Sequence, residues 1–270
     1  MVMKIINEEI IEELEDWFDS YIQKFKSGDP GWRPNIILKE KHTRMVCKEI
    51  LGIGRKIGLK DEELRLAKVV ALFHDIGRFE QFARYRTFVD RKSENHAVLG
   101  VKILKEKKVL KKLDKSLRDL ILRAILYHNR FALPKKESEE CLLFAKLLRD
   151  ADKLDIWRVV TDYYHQEDGK RNAVIELDLP DTPGISYDVY QDLMKKRIVD
   201  IAHLKNLNDF KLLQIGWIYD INFVQTLQCV LDRGYLPMIR DVLPKSEKIT
   251  EIFHMLQSHI NEQVSSLKAQ

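Results

Sequence analysis

Nowhere in the 270 residues do apolar side chains run together for anything near the roughly 18 positions that a membrane-spanning helix needs; the longest runs are of the kind seen from Val69 to Phe73. No membrane partner is expected. Cysteine is scarce: Cys47, Cys141 and Cys229 are far apart, odd in number and without C-x-x-C spacing, which speaks against a disulfide framework or a thiolate metal site and makes them reduced core residues. A strong charge of one sign is also missing. Lys and Arg number 46 against 42 Asp and Glu, a formal net charge of +4, too weak a balance to call for nucleic acid as a partner. The first residues turn acidic at once at Glu8, Glu9, Glu12 and Glu13, which is wrong for a signal or transit peptide and makes the cytoplasm the expected compartment. With no repeat, low-complexity tract or Ser/Gly linker, one domain over residues 1–270 is expected.

What is present is a hydrophobic share of 45% and a charged share of 33%, the mixture of a soluble globular chain that at this length buries roughly three quarters of its extended surface. Apolar residues recur at spacings of three and four almost throughout, so an all-α fold is predicted. A first helix is expected from about Glu8 to Lys26, capped by Asn7. The next runs from near Asn35 to Gly58, and a third starts at Asp61 and carries Leu64, Ala67, Ala71 and His74 on one side. After a broken stretch around Arg84 to Lys92 come helices from Ser93 to about Lys107, from Ser116 to His128, and from Ser138 to His165. Residues 172–184 alternate and contain Pro180 and Pro183, the pattern of a short hairpin arm. Three closing helices are expected near Tyr187 to Leu204, Asp209 to Arg233 and Ser246 to Leu267, the C-terminal extension of about 185–270.

The polar residues that share the apolar faces carry the chemistry. His42 lines up with Leu38, Val46, Ile50 and Ile53 on a stripe that must face the core. His74, His96, His128 and Asp152 fall on the inner stripes of four further helices, and Asp75 stands beside His74 at a helix end. A lone inward histidine is usually an ordinary core residue, but a buried carboxylate without a partner costs several kcal/mol. One shared metal centre satisfies all six at once. His165, His203, His254 and His259 have no comparable setting.

The strings Lys-His-Thr-Arg-Met-Val at 41–46, Leu-Phe-His-Asp-Ile-Gly-Arg at 72–78 and Asp-Ala-Asp-Lys-Leu-Asp at 150–155 resemble the HD superfamily of metal-dependent phosphohydrolases, a bundle of about five helices named for the His-Asp doublet. The likeness covers about residues 35–160. It implies that His42, His74, Asp75 and Asp152 hold a first ion. Asn95-His96-Ala-Val-Leu-Gly100 and Tyr127-His128 are similar to the further elements of those members that bind two ions, which implies that Asp75 bridges, that His96 and His128 complete a second site, and that Gly100 admits a neighbouring helix. No Gly-Tyr-Pro follows His128, so a cyclic dinucleotide is not the expected substrate.

Imidazole and carboxylate ligands without thiolate suit one or two ions of Fe, Mn, Co, Ni or Zn. The resemblance implies hydrolysis of a phosphate ester of a small molecule or nucleotide by a metal-bound hydroxide, with Asp75 and Asp152 as catalytic residues. Arg78, Arg130 and Lys153 are the candidates for binding the phosphoryl oxygens. Arg44 is expected to pair with a carboxylate such as Asp155, and residues 84–90 to form a lid or pocket wall. Asp155, Arg158, Asp162 and His165 read as a solvated stripe, and the eight cations between Lys102 and Arg118 as a solvated surface. Two other readings stand beside this one. The same ligand order resembles the mixed-valent di-iron oxygenases of the superfamily, such as myo-inositol oxygenase, and a noncatalytic sensor would keep the metal as structure. A homo-oligomer stays open.

Overall fold

The computed structural model describes residues 6–27, 31–166 and 171–268, most of them helical and none in a strand. They form two compact units, residues 1–155 and 156–270.

In the first unit, α1 spans Glu8–Lys26 and starts where the Asn7 side chain accepts from the Ile10 amide at 2.9 Å, which satisfies one of the free amides of the first turn. α2 follows over Arg33–Lys56. Its inner stripe of Ile36, Val46, Ile50 and Ile53 is at most 1% exposed, and His42 and Thr43 lie buried among these residues. Each such isoleucine contributes about 2 kcal/mol of burial, which fixes the face on which His42 must lie. α3 covers Asp61–Phe73 and α4 covers Ile76–Tyr85. Between them stand only His74 and Asp75, the cap residues of the two helices.

Four aromatics of α1 hold this junction. Trp17 and Phe18 meet Phe73 edge-on at 5.9 and 6.5 Å between ring centroids, Phe18 and Phe25 lie 5.9 and 6.1 Å from Phe79, and Tyr21 stacks on Trp17. After a 3-10 turn at Asp90–Lys92, α5 runs His96–Glu106, its first turn capped by the Asn95 side chain. α4 and α5 approach at Gly77 and Gly100, where the Gly77 Cα comes within 3.8 Å of the position a Cβ on residue 100 would take. Glycine is required on this contact, because a Cβ on residue 77 would fall 2.1 Å from the His96 carbonyl oxygen. α6 runs Lys115–Tyr127 and α7 runs Glu139–Tyr164, carrying the unit boundary within it.

In the second unit α8 (Tyr187–Met194), α9 (Leu207–Gly216), α10 (Val224–Asp232), α11 (Tyr235–Asp241) and α12 (Glu247–Lys268) follow. Trp157 is fully buried, donates to the Gln214 carbonyl at 3.1 Å and packs on Trp217 and Tyr235.

Four expectations need correction here. Residues 172–184 form turns and no hairpin. Leu177 and Asp178 take left-handed backbone, which breaks an extended run, and Glu176 is buried alongside Leu179 and held by Tyr163 and Arg171. The helix expected from Tyr187 to Leu204 ends at Met194, and the one from Asp209 to Arg233 ends at Gly216 and restarts at Val224 after a 3-10 turn. Arg44 pairs with Asp19 of α1 and stacks over Phe18 at 5.1 Å, whereas Asp155 meets His42. The three cysteines are buried and none is in a disulfide among the described residues.

Candidate metal centre

Six side chains from α2, the α3–α4 junction, α5, the end of α6 and α7 meet in the first unit. They form two groups, His42, His74 and Asp152, and Asp75, His96 and His128, with the ligand-capable atoms of each group within 4.8 Å of one another. Asp75 faces both. Its Oδ2 lies 3.6 and 3.7 Å from the Nε2 atoms of His42 and His74, and its Oδ1 lies 3.4 and 3.9 Å from those of His96 and His128. Asp152 Oδ1 stands 3.0 Å from His42 Nε2 and 3.7 Å from His74 Nε2. Ligands bound about 2.1 Å from a common ion are roughly 3 to 3.5 Å apart, close to these spacings.

The outward nitrogen of every ring is already committed. His74 Nδ1 lies 2.7 Å from the Ala71 carbonyl oxygen and His128 Nδ1 2.6 Å from that of Ile125. His42 Nδ1 lies 2.7 Å from Asp155 Oδ2, and His96 Nδ1 2.8 Å from Asp90 Oδ2. These oxygens can only accept, so each ring puts its N–H there and turns the Nε2 lone pair inward. The buried Nε2 atoms of His42 and His74 make no hydrogen bond, and those of His96 and His128 face each other at 3.0 Å. Burial pushes the His96 and His128 imidazoles down to about 4 and lowers that of His74, so near pH 7 these rings are neutral. Two lone pairs aimed at each other at 3.0 Å repel, and a cation resolves the conflict. The donor set therefore fits metal ions.

The electrostatics support the same reading. For Asp75, burial raises the pKa, but Lys39, His74, Arg78 and His96 together hold the carboxyl well below its usual range. For Asp152, desolvation raises the pKa, but the His42 ring 3.0 Å away and the charges of His42, His74 and His128 hold the carboxyl low. In His42, burial and Lys39 push downward, but Asp152 and Asp155 outweigh them and leave the imidazole above 6.5.

Residues that the sequence left aside complete the site. The Lys39 ammonium, one turn before His42, bonds Asp75 Oδ2 at 2.8 Å. Its i, i+3 spacing from His42 was the available signal. Asp155 is fully buried against His42, which corrects its reading as part of a solvated stripe. Asp90 Oδ1 accepts from Arg78 and Gln81, both at 2.9 Å, and Oδ2 accepts from Asn129 at 3.2 Å.

The expected phosphate-binding side chains are placed differently from one another. Arg78 bridges the centre's carboxylates, with Nε 3.5 Å from Asp75 Oδ1 and NH1 on Asp90 and on the Phe88 carbonyl. Arg130 is exposed and stacks on Tyr127 at 4.7 Å. Lys153 is buried on α7 beside Asp152. The cations from Lys102 to Lys115 are exposed.

Residues 40–157, which include all six ligand positions, match the family model described as the HD domain. No curated protein and no solved structure matches the chain.

Proposed function

Since residues 40–157 match the HD domain, whose superfamily includes metal-dependent phosphohydrolases, we propose that the chain hydrolyses a phosphate ester of a small molecule or nucleotide at a two-ion centre. The observation that carries this reading is Asp75. Its two oxygens face two separate groups of inward Nε2 atoms, an arrangement suited to a carboxylate shared by two ions. His42, His74 and Asp152 would hold one ion, and His96 and His128 the other. Divalent ions at these positions supply Lewis acidity toward a phosphoryl oxygen and toward water.

The charge around the centre points to an anionic substrate. Four carboxylates, Asp75, Asp90, Asp152 and Asp155, gather at the centre, with Lys39 on Asp75 and Arg78 between Asp75 and Asp90. A pair of divalent ions would add positive charge here that attracts phosphate. Asp152, 19% exposed, and Lys39, 17% exposed, keep contact with solvent while the rings do not. We assign Lys39 to the phosphoryl oxygens and Asp152 to a hydrogen bond with the attacking water. Arg78, bound to both Asp75 and Asp90, keeps those carboxylates in place.

The test is a panel of phosphate esters and nucleotides offered to protein loaded in turn with Mn, Fe, Co, Ni and Zn. Anaerobic release of phosphate that disappears in Asp75→Ala is the expected result. Substrate-dependent oxygen uptake without phosphate release would assign the site to oxygenase chemistry instead.

A further inference from the structure

The two halves of the centre are built to one plan and braced by different material. In each half one imidazole is held by the carbonyl three residues earlier, Ala71 for His74 and Ile125 for His128, and the other by a carboxylate, Asp155 for His42 and Asp90 for His96. The carbonyl contacts are alike, at 2.7 and 2.6 Å. The carboxylates are not.

Asp155 lies one turn after Asp152 on α7, so a single helix supplies both a ligand and the brace of its partner ring. It has no solvent exposure, and His42 itself is in the middle of α2. Asp90 stands in the short 3-10 turn between α4 and α5, with its side chain 28% exposed. The segment that carries it leaves α4 through Arg86, which takes left-handed backbone at φ 60° and lays its guanidinium 3.5 Å from the Trp32 ring centroid. Asp90 keeps its place through side chains from three elements, Arg78 and Gln81 of α4, His96 of α5 and Asn129 after α6. Segments of this kind open at lower cost than helix interiors, and ligand orientation by such partners sets metal affinity.

We infer that Asp155 and Asp90 are positioning residues, one for each half, and that they make the halves unequal: the ion of the His42 half is retained and the ion of the His96 half exchanges. The inference rests on the two-ion reading above. Whatever displaces residues 86–95 then acts first on the second ion, through His96 and through the Arg78 contact with Asp75 Oδ1.

Full-length protein, stripped and reloaded with Co(II), tests this by stoichiometry and by titration against a competing chelator, with the visible absorption of each ion followed. The wild type should take up two ions, one at least about 10-fold tighter. Asp90→Ala should weaken the loosely held ion by about 10- to 100-fold and leave the tight one, and Asp155→Ala should do the reverse. Asp90→Asn, which keeps an acceptor for the His96 N–H, should recover part of that loss, a response that general loosening of the fold would not give. Circular dichroism of the stripped variants checks that the helices persist. Two ions of equal affinity in the wild type, or loss of the tight ion in Asp90→Ala, would overturn the inequality while leaving the two-ion centre in place. A single ion at any loading would overturn the two-ion reading itself.

Discussion

The Lys39 ammonium and a metal ion held as proposed would compete for the same Asp75 carboxylate. In the absence of ions, the ammonium at 2.8 Å is the main neutralising partner of Oδ2, with Arg78 farther off at 3.5 Å from Oδ1. Removing one partner of a buried pair costs about 3 to 5 kcal/mol; Lys39 retains 17% exposure, so the low end applies. Lys39→Met is therefore expected to cost the stripped protein about 3 kcal/mol, measured by urea denaturation, and much of that deficit should vanish on metal loading, because ions then neutralise Asp75. The loaded variant should show a KM for its phosphate ester raised at least 10-fold. The residues meeting in the centre were legible individually, since each of the six stands on an inward stripe or beside one. Their braces were not. Whether Asp155 meets His42 or Arg44 depends on rotamers and on how α1 lies over α2, and Asp90 reaches His96 through an irregular path that periodicity does not describe.

Among the elements, α1 lies outside residues 40–157 yet supplies the aromatic packing on both sides of the His74–Asp75 junction. The doublet points inward because two helices end on it, and Phe73 and Phe79 hold those ends. The Gly77–Gly100 contact fixes α5 and hence His96. A Cβ at residue 77 would meet backbone atoms at 2.1 and 2.7 Å, whereas one at residue 100 would meet Ile76 Cγ2 at 3.2 Å and the Gly77 nitrogen at 3.3 Å. Gly77→Ala is thus expected to destabilise by 3 kcal/mol or more, beyond the roughly 1 to 3 kcal/mol of ordinary overpacking, and Gly100→Ala by about 1 kcal/mol, as read from denaturation midpoints. The sequence pointed to the role of Gly100 through the resemblance, while Gly77 carried no distinguishing signal beside the doublet. Helix positions were readable wherever the apolar period and the caps agreed, as at Asn7. The period continues across Gly216 without showing the break there.

At the scale of the whole molecule, every proposed ligand belongs to the unit of residues 1–155 and none to the unit of residues 156–270. Metal held at 100 times its dissociation constant stabilises the unit that binds it by about 2.7 kcal/mol. A chelator is therefore expected to lower the melting transition of the first unit and to speed amide hydrogen exchange in α2, α3, α5, α6 and the first part of α7. Exchange in α9 through α12 should stay unchanged. The all-α class was legible throughout, because nearly every segment carries the helical period; the exception was residues 172–184, where a side-chain-anchored turn mimics strand alternation. The proposed ligands are spread along the chain from residue 42 to residue 152, and no two neighbouring ones apart from the doublet lie in one local segment. A nascent or unfolded chain has no partial site with which to capture an ion, so the centre closes only after the first unit has packed. Interactions that form after the folding transition state act on the unfolding rate alone. In stopped-flow experiments, added metal should leave the refolding arm where it is and slow unfolding by the full stabilisation, about 100-fold, which makes the centre a latch on the folded chain and no guide to its folding.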